Sequence, residues 1–203
     1  MKIKKIAASC KLHCQAVLWD AVDSDGVLKQ WICTGAAAYP VDGMPYLSVE
    51  HLPTLLSLSN KDEEKMRLDQ TDKPDTMDLR DAVEQESIAE PAEFSILHLS
   101  RELLPVRVHD ETYFVDAELL EPITAEYKDT ELWQRRTEGG TPYFAVKAGL
   151  MCVGIVMPMQ YQQHLVDKLA EVAECYHGDP PMPEAKAEEP ENNSEIEGQE
   201  EMS

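Results

Sequence analysis

The amino-acid sequence predicts an α+β protein containing two copies of one helix–strand–strand–strand–helix unit. Three observations predict it. First, Leu18-Trp19 recurs as Leu132-Trp133, 114 residues later, and Gly26 and Gly35 recur as Gly140 and Gly149 at the same offset. Second, Met44-Pro45 matches Met157-Pro158 after one gap. Third, a helical pattern precedes each Leu-Trp pair and another follows each Met-Pro pair.

The first unit occupies residues 1–60. Ile3, Ile6, Ala7, Cys10 and Cys14 recur at three- and four-residue steps, which predicts a helix over Ile3–His13 with one apolar stripe. Lys2, Lys4, Lys5 and Lys11 lie off that stripe. Ala16–Val22 is rich in β-branched and aromatic residues and reads as a strand. Asp25-Gly26 suits a hairpin turn, because glycine reaches the positive φ that tight turns need. Val27–Cys33 is the returning strand, and Ala36–Val41 a short third one. Ser48 is placed to cap a helix through Leu58, with Pro53 limiting its regularity.

Residues 61–93 break the pattern. They hold twelve acids against five bases, with Pro74 and Pro91 as breakers, and read as a charged insert or linker. A short strand fits Met66–Leu68.

The second unit, residues 94–176, is expected to pack with the first as one domain, since neither half has enough core alone. Phe94–Leu99, Leu103–Val108 and Tyr113–Val115 read as strands. Asp116 caps a short helix through Tyr127 that contains Pro122. Glu131–Thr137 and Pro142–Lys147 form a hairpin, and the almost wholly apolar Leu150–Met157 suits a strand buried on both faces. In Tyr161–Tyr176, Leu165, Leu169, Val172, Ala173 and Tyr176 line one helical face, while Asp167, Lys168, Glu171 and Glu174 line the other. Residues 177–203 hold nine acids and one lysine and read as a disordered acidic tail. In the repeat, Trp19 and Trp133 are the expected matched core anchors, and Gly35 and Gly149 the matched bends.

The 203-residue chain is 43% apolar, so it has material for a core. Its net charge of -21 repels nucleic acid and anionic membranes on average, leaving any such contact to a local basic patch. The basic first helix and Arg135-Arg136 are the positive features; they could touch phosphates, but structural salt bridging is the favoured expectation. No signal peptide is expected, since no long apolar stretch follows the basic Met1–Ile6. The run Ala148–Met159 is too short for a membrane helix. A reduced, cytoplasmic setting is expected from the odd count of cysteines in apolar surroundings.

Few residues suggest chemistry. Cys10, His13 and Cys14 fall within little more than one helical turn, yet Cys10 and Cys14 share the apolar stripe, and small apolar packing explains them better than zinc. Cys33 is a strand residue that such a group would have to recruit. Cys152 sits inside an apolar strand, and Cys175 lies at the wrong end of a helix to favour thiolate. His51, His98, His109 and His164 form no catalytic pattern. Gly139-Gly140 lacks the Lys-Ser/Thr of a phosphate loop and reads as a turn. No enzyme activity, cofactor or metal is expected.

The stretch Tyr113–Leu120 followed by Val153–Met159, with its Met-Pro-Met ending, resembles the last domain of the processivity (sliding) clamps, whose fold repeats a helix-plus-three-strands unit. The likeness covers about 45 residues, and the overall style resembles small bacteriophage and mobile-element proteins. It implies a clamp-like, internally duplicated fold and a non-catalytic accessory role in DNA metabolism. Lys2, Lys4, Lys5 and Lys11 would then be the phosphate contacts. Departures are plain: the chain has room for one such domain, and Glu118, Glu121 and Glu126 make the second repeat helix acidic. The alternative expectation is an acidic protein-interaction module, or a DNA mimic occupying a partner's basic surface. Another protein is the expected partner, with DNA and further copies of the chain as candidates and no membrane.

Overall fold

The computed structural model describes residues 3–22 and 26–159, together with Lys168 and Glu171. The rest of the helix expected over Tyr161–Tyr176, and the tail 177–203, lie outside the described residues, as does Lys2.

Helix α1 (Ile3–Leu12) forms where the apolar steps predict it and buries Ile6, Ala7 and Cys10. It ends in a left-handed turn at Cys14 (φ 51°), which takes that thiol off the stripe into solvent. The expectation that Cys14 packs in the core is thereby corrected. Strands β1 (Gln15–Val22), β2 (Leu28–Cys33) and β3 (Ala37–Pro40) follow as an antiparallel meander.

The helix expected from Ser48 to Leu58 is instead a 3-10 turn, Val49–His51, running into α2 (Leu52–Leu55). It gives way to a left-handed Ser57 (φ 50°), after which Ser59 caps α3 (Asn60–Glu63).

The segment expected as an insert or linker contributes two strands. β4 (Arg67–Asp72) is longer than the Met66–Leu68 strand the sequence suggests, and pairs parallel to β1 from Gln15↔Arg67 to Asp20↔Asp72. Its polar sequence fits its place at the sheet's edge, where one row of backbone groups faces water. Gln70 donates to Asp20 (2.9 Å) and to Tyr46 (2.7 Å), so even its polar side chains are used. β5 (Ser87–Pro91) pairs with a later strand through Ser87–Ala89.

β6 (Ile96–His98), β7 (Arg101–Val108) and β8 (Glu111–Asp116) form the next antiparallel group. Asp116 accepts from the Glu118 amide (3.1 Å) and caps α4 (Ala117–Thr124), which holds Pro122. β9 (Glu131–Arg136), β10 (Pro142–Ala148) and β11 (Met151–Val156) complete the chain's sheet. The strand order is β4-β1-β2-β3-β11-β10-β9-β5-β7-β6, with β8 paired to β7.

The centre of this sheet is the antiparallel pair β3–β11, with Ala38 opposite Ile155 and Ala37 opposite Val156. Helices α1 and α4 lie together on one face. There Ile6, Leu18, Ile32, Leu119, Ile123, Phe144 and Val156 join one buried cluster, and Tyr39 donates its hydroxyl to the Leu119 carbonyl (2.8 Å). The β10–β11 register slips by one residue between Val146↔Gly154 and Lys147↔Cys152. A Cβ on Gly154 would stand 2.2 Å from Ile123 Cδ1, so any larger residue would force that side chain to shift. The opposite face carries a second cluster that includes Val17, Trp31, Ala38, Tyr143 and Ile155, covered by Met77 and Leu79 of the irregular segment 73–86. Among the described residues, no helix is long and apolar enough to cross a membrane.

Candidate functional site

The helical face presents the residues singled out for phosphate contact. The apolar steps of α1 turn Ile6 and Cys10 inward, which leaves Lys4, Lys5 and Lys11 on its outer side. Lys5 Nζ lies 2.7 Å from Glu121 on α4. Lys11 Nζ lies 3.0 Å from Asp62 of α3 and donates to the Ser57 carbonyl (3.3 Å). The backbone amide of Ser59, with Lys11 behind it, holds the Asp62 carboxyl down at about 2. Lys4 is exposed. Glu118, Glu121 and Glu126 are exposed on and just after α4, so the face is mixed in charge and a phosphate would compete with carboxylates already paired to Lys5 and Lys11.

The tryptophans expected as core anchors are not fully buried, and the tryptophan that is, at 3% exposed, is Trp31. Trp19 in β1 and Trp133 in β9 are both half-buried and both pack on the second cluster. The Trp133 indole donates to Glu131 (3.1 Å), and Lys147 Nζ stands 4.6 Å from its ring centre. Gly35 (φ 86°) turns β2 into β3, and Gly149 (φ 61°) turns β10 into β11. Gly26 (φ 78°) and Gly140 (φ 82°) adopt the same left-handed state before β2 and β10. The Met-Pro positions differ: Met44 and Pro45 are exposed, whereas Met157 is half-buried on the second cluster.

The thiols and histidines remain apart. Burial, with the nearby Cys33, pushes the Cys10 thiol up to about 12, and burial pushes Cys33 and Cys152 to about 11. His13 Nδ1 sits 2.9 Å from the Ser9 carbonyl, and His51 Nδ1 accepts from the Ser48 amide (2.9 Å). Among the described residues, no three His, Cys, Asp or Glu side chains gather as metal ligands. His164 and Cys175 lie outside the described residues.

Salt bridging by Arg135-Arg136 was expected, but the burial of Arg135 and its partners were not. Arg135 is 1% exposed, under the 73–86 segment. It pairs with Glu86 (2.7 Å) and donates to the carbonyls of Asp78 (3.0 Å), Arg80 (2.8 Å) and Asp81 (3.4 Å). Buried Lys147 pairs with the same Glu86 carboxylate. Burial pushes that carboxyl up, but hydrogen bonds from Lys147 and Arg135 outweigh it and hold it below its ordinary range. The Tyr143 hydroxyl and the Cys152 amide bind the same segment, through the Asp78 backbone and the Asp81 side chain. The signal available in the sequence was Arg135-Arg136 in a hairpin strand that also carries Leu132 and Trp133. Arg136 is exposed and pairs with Glu111 (2.9 Å).

Clefts of about 630 and 970 Å³ flank the 73–86 segment. The smaller has Trp31 and Met77 among Lys29, Lys73, Asp75 and Arg80. The larger is polar, with Arg80, Glu84, Glu138 and Tyr143 on its walls. Both mix charges of each sign, and Ser87 on the wall of the larger lies 3.3 Å from Nε2 of the exposed His109. Comparison of the chain with protein-family models, curated proteins and solved structures finds no match.

Proposed function

We propose that this chain is a non-catalytic binding or accessory protein of clamp-like build, serving DNA metabolism in a bacteriophage or mobile element. The observation that carries the reading is the antiparallel pairing of β3 with β11. It joins α1–β1–β2–β3 to α4–β9–β10–β11 as one sheet with both helices on one face, the arrangement expected of a duplicated clamp unit. The left-handed glycines at matching turns support the duplication. With one such domain per chain, encircling DNA would require several copies, joined at sheet edges such as β4.

Lys2, Lys4, Lys5 and Lys11 are then the phosphate contacts, with Lys5 and Lys11 exchanging Glu121 and Asp62 for phosphate. Binding of a duplex oligonucleotide should weaken as salt rises, with a log–log slope of roughly 0.9 per phosphate contacted. The quadruple Lys→Glu variant should lose it. Equal and negligible binding by both proteins discards the DNA role.

A second reading is favoured by the net charge of -21 and by the carboxylates facing Lys5 and Lys11. In it the chain is an acidic module that occupies a partner's basic surface. A partner captured from host lysate that is released by salt, and held more weakly without residues 177–203, supports this reading; no partner at any salt counts against it.

A further inference from the structure

The 73–86 segment crosses the sheet as a strap. It leaves β4 at one edge and ends at β5, seven steps away in the strand order. Seven inter-strand steps span about 34 Å. The fourteen linking residues reach ~50 Å when extended, so the strap has slack to lift away with β4 and β5 left in place. Its apolar hold is Met77 and Leu79, and clefts of about 630 and 970 Å³ flank it. Irregular segments with few apolar contacts are the ones that open ahead of global unfolding.

The strap and the face beneath it carry opposite charge. Residues 73–86 hold five acids and two bases. Beneath them the Glu86 carboxylate clamps two buried cations, Arg135 and Lys147. Both cations stand among aromatic rings: Lys147 Nζ is 4.6 Å from the centre of Trp133, and register places Tyr143 opposite Arg135. Trp133 is only half-buried, and the Tyr143 hydroxyl is tied to the strap through the Asp78 backbone. Cations interleaved with rings are what single-stranded nucleic acid needs, since cations take its phosphates and rings stack on its bases. The strap supplies oxygen acceptors to the same cations, from the Glu86 carboxylate and the carbonyls of Asp78, Arg80 and Asp81, as phosphate oxygens would.

We infer that the 73–86 strap is an autoinhibitory acidic cover over a face that binds single-stranded nucleic acid, with Arg135 and Lys147 as phosphate contacts and Trp133 and Tyr143 as stacking platforms. Strand binding and strap closure compete for the same two cations, so the ligand selects the open state. The aromatic rings favour nucleic acid over an acidic peptide, which would use the cations alone. The inference shares a ligand class with the DNA-metabolism reading but uses the opposite face of the sheet from α1, and the quadruple Lys→Glu variant separates the two.

The test titrates a labelled dT oligonucleotide of about 16 nucleotides into the full chain at low salt. Met77→Ser with Leu79→Ser loosens the strap and leaves the cations and rings beneath it unaltered. Glu86→Gln removes the competing charge and no apolar contact. Both should bind at least about tenfold more tightly than wild type, and adding Trp133→Leu to either should weaken binding by roughly tenfold. Binding should fall as salt rises. Saturating oligonucleotide should speed amide exchange across 73–86 of wild type while β10 and β11 stay protected. Equal affinities for wild type and both strap variants overturn the inference, as does undetectable binding by all three. So does equal competition by polyglutamate, which would make the face a site for acidic peptides. Binding abolished by the quadruple Lys→Glu change and untouched by Trp133→Leu also overturns it, because the contact would then lie on α1.

Discussion

The two faces of the central sheet are closed by different physics. On one, α1 and α4 lay aliphatic side chains on strands, and the contact is apolar nearly throughout. On the other, the 73–86 segment has almost no regular structure and is held by Arg135, Lys147 and Glu86, with Met77 and Leu79 as its apolar contribution. A helix satisfies its own backbone, so its covering face can be wholly apolar. An irregular segment cannot, and its carbonyls need donors from below. The three carbonyls to which Arg135 donates supply the reason a guanidinium is buried there.

Substitutions can break this contrast. The largest effect belongs to Arg135→Ala, which leaves the buried Glu86 carboxylate to Lys147 and leaves the carbonyls of Asp78, Arg80 and Asp81 short of a donor. Loss of one partner from a buried pair is expected to destabilise by roughly 3–5 kcal/mol, read by urea unfolding. A loss under 1 kcal/mol would mean that water replaces the guanidinium and the contrast fails. On the helical face, Gly154→Ala drives a methyl into Ile123, and overpacking of this kind costs about 1–3 kcal/mol in the same assay.

Acid sharpens the comparison further. The folded protein holds the Glu86 carboxyl below its ordinary 4.5, so this stability is fully present above that value and is lost as pH falls through the lower, folded value. Wild type should therefore lose stability below about pH 4.5 more steeply than Glu86→Gln, measured by unfolding at successive pH values. The smallest effect is Lys5→Ala. Its partner Glu121 is 57% exposed, so the change should lie within about 0–1 kcal/mol in thermal unfolding and shrink with salt.

The same contrast explains what the sequence reveals. Ile3–Leu12, Asp116–Thr124 and the β9–β10 hairpin were legible because their stripes, cap and turn glycines are local signals. β4 was legible only at its start, as the short strand expected over Met66–Leu68, because an edge strand reading Arg-Leu-Asp-Gln-Thr-Asp has one inward apolar side chain and looks like solvent-facing chain. Its pairing is parallel, with no turn to announce it. The Arg135–Glu86–Lys147 group was invisible for another reason: its members are 49 and 61 residues from Glu86, and no periodicity links them. Of the candidate interface, the lysines on α1 were legible, but the carboxylates that face Lys5 and Lys11 come from α4 and α3, which only the fold brings near.

The seam between β3 and β11 also bears on how a ribosome delivers this molecule. Ala37 must wait for Val156, so the first unit leaves the exit tunnel with the rim of its third strand bare and the floor for α1 half built. Long-separation pairings of this kind slow assembly, and bare rims invite neighbouring nascent chains to pair with them. The protein's most vulnerable moment is thus the interval before its last strand is made, and chains stopped short of residue 156 should be recovered as aggregates rather than as a folded half.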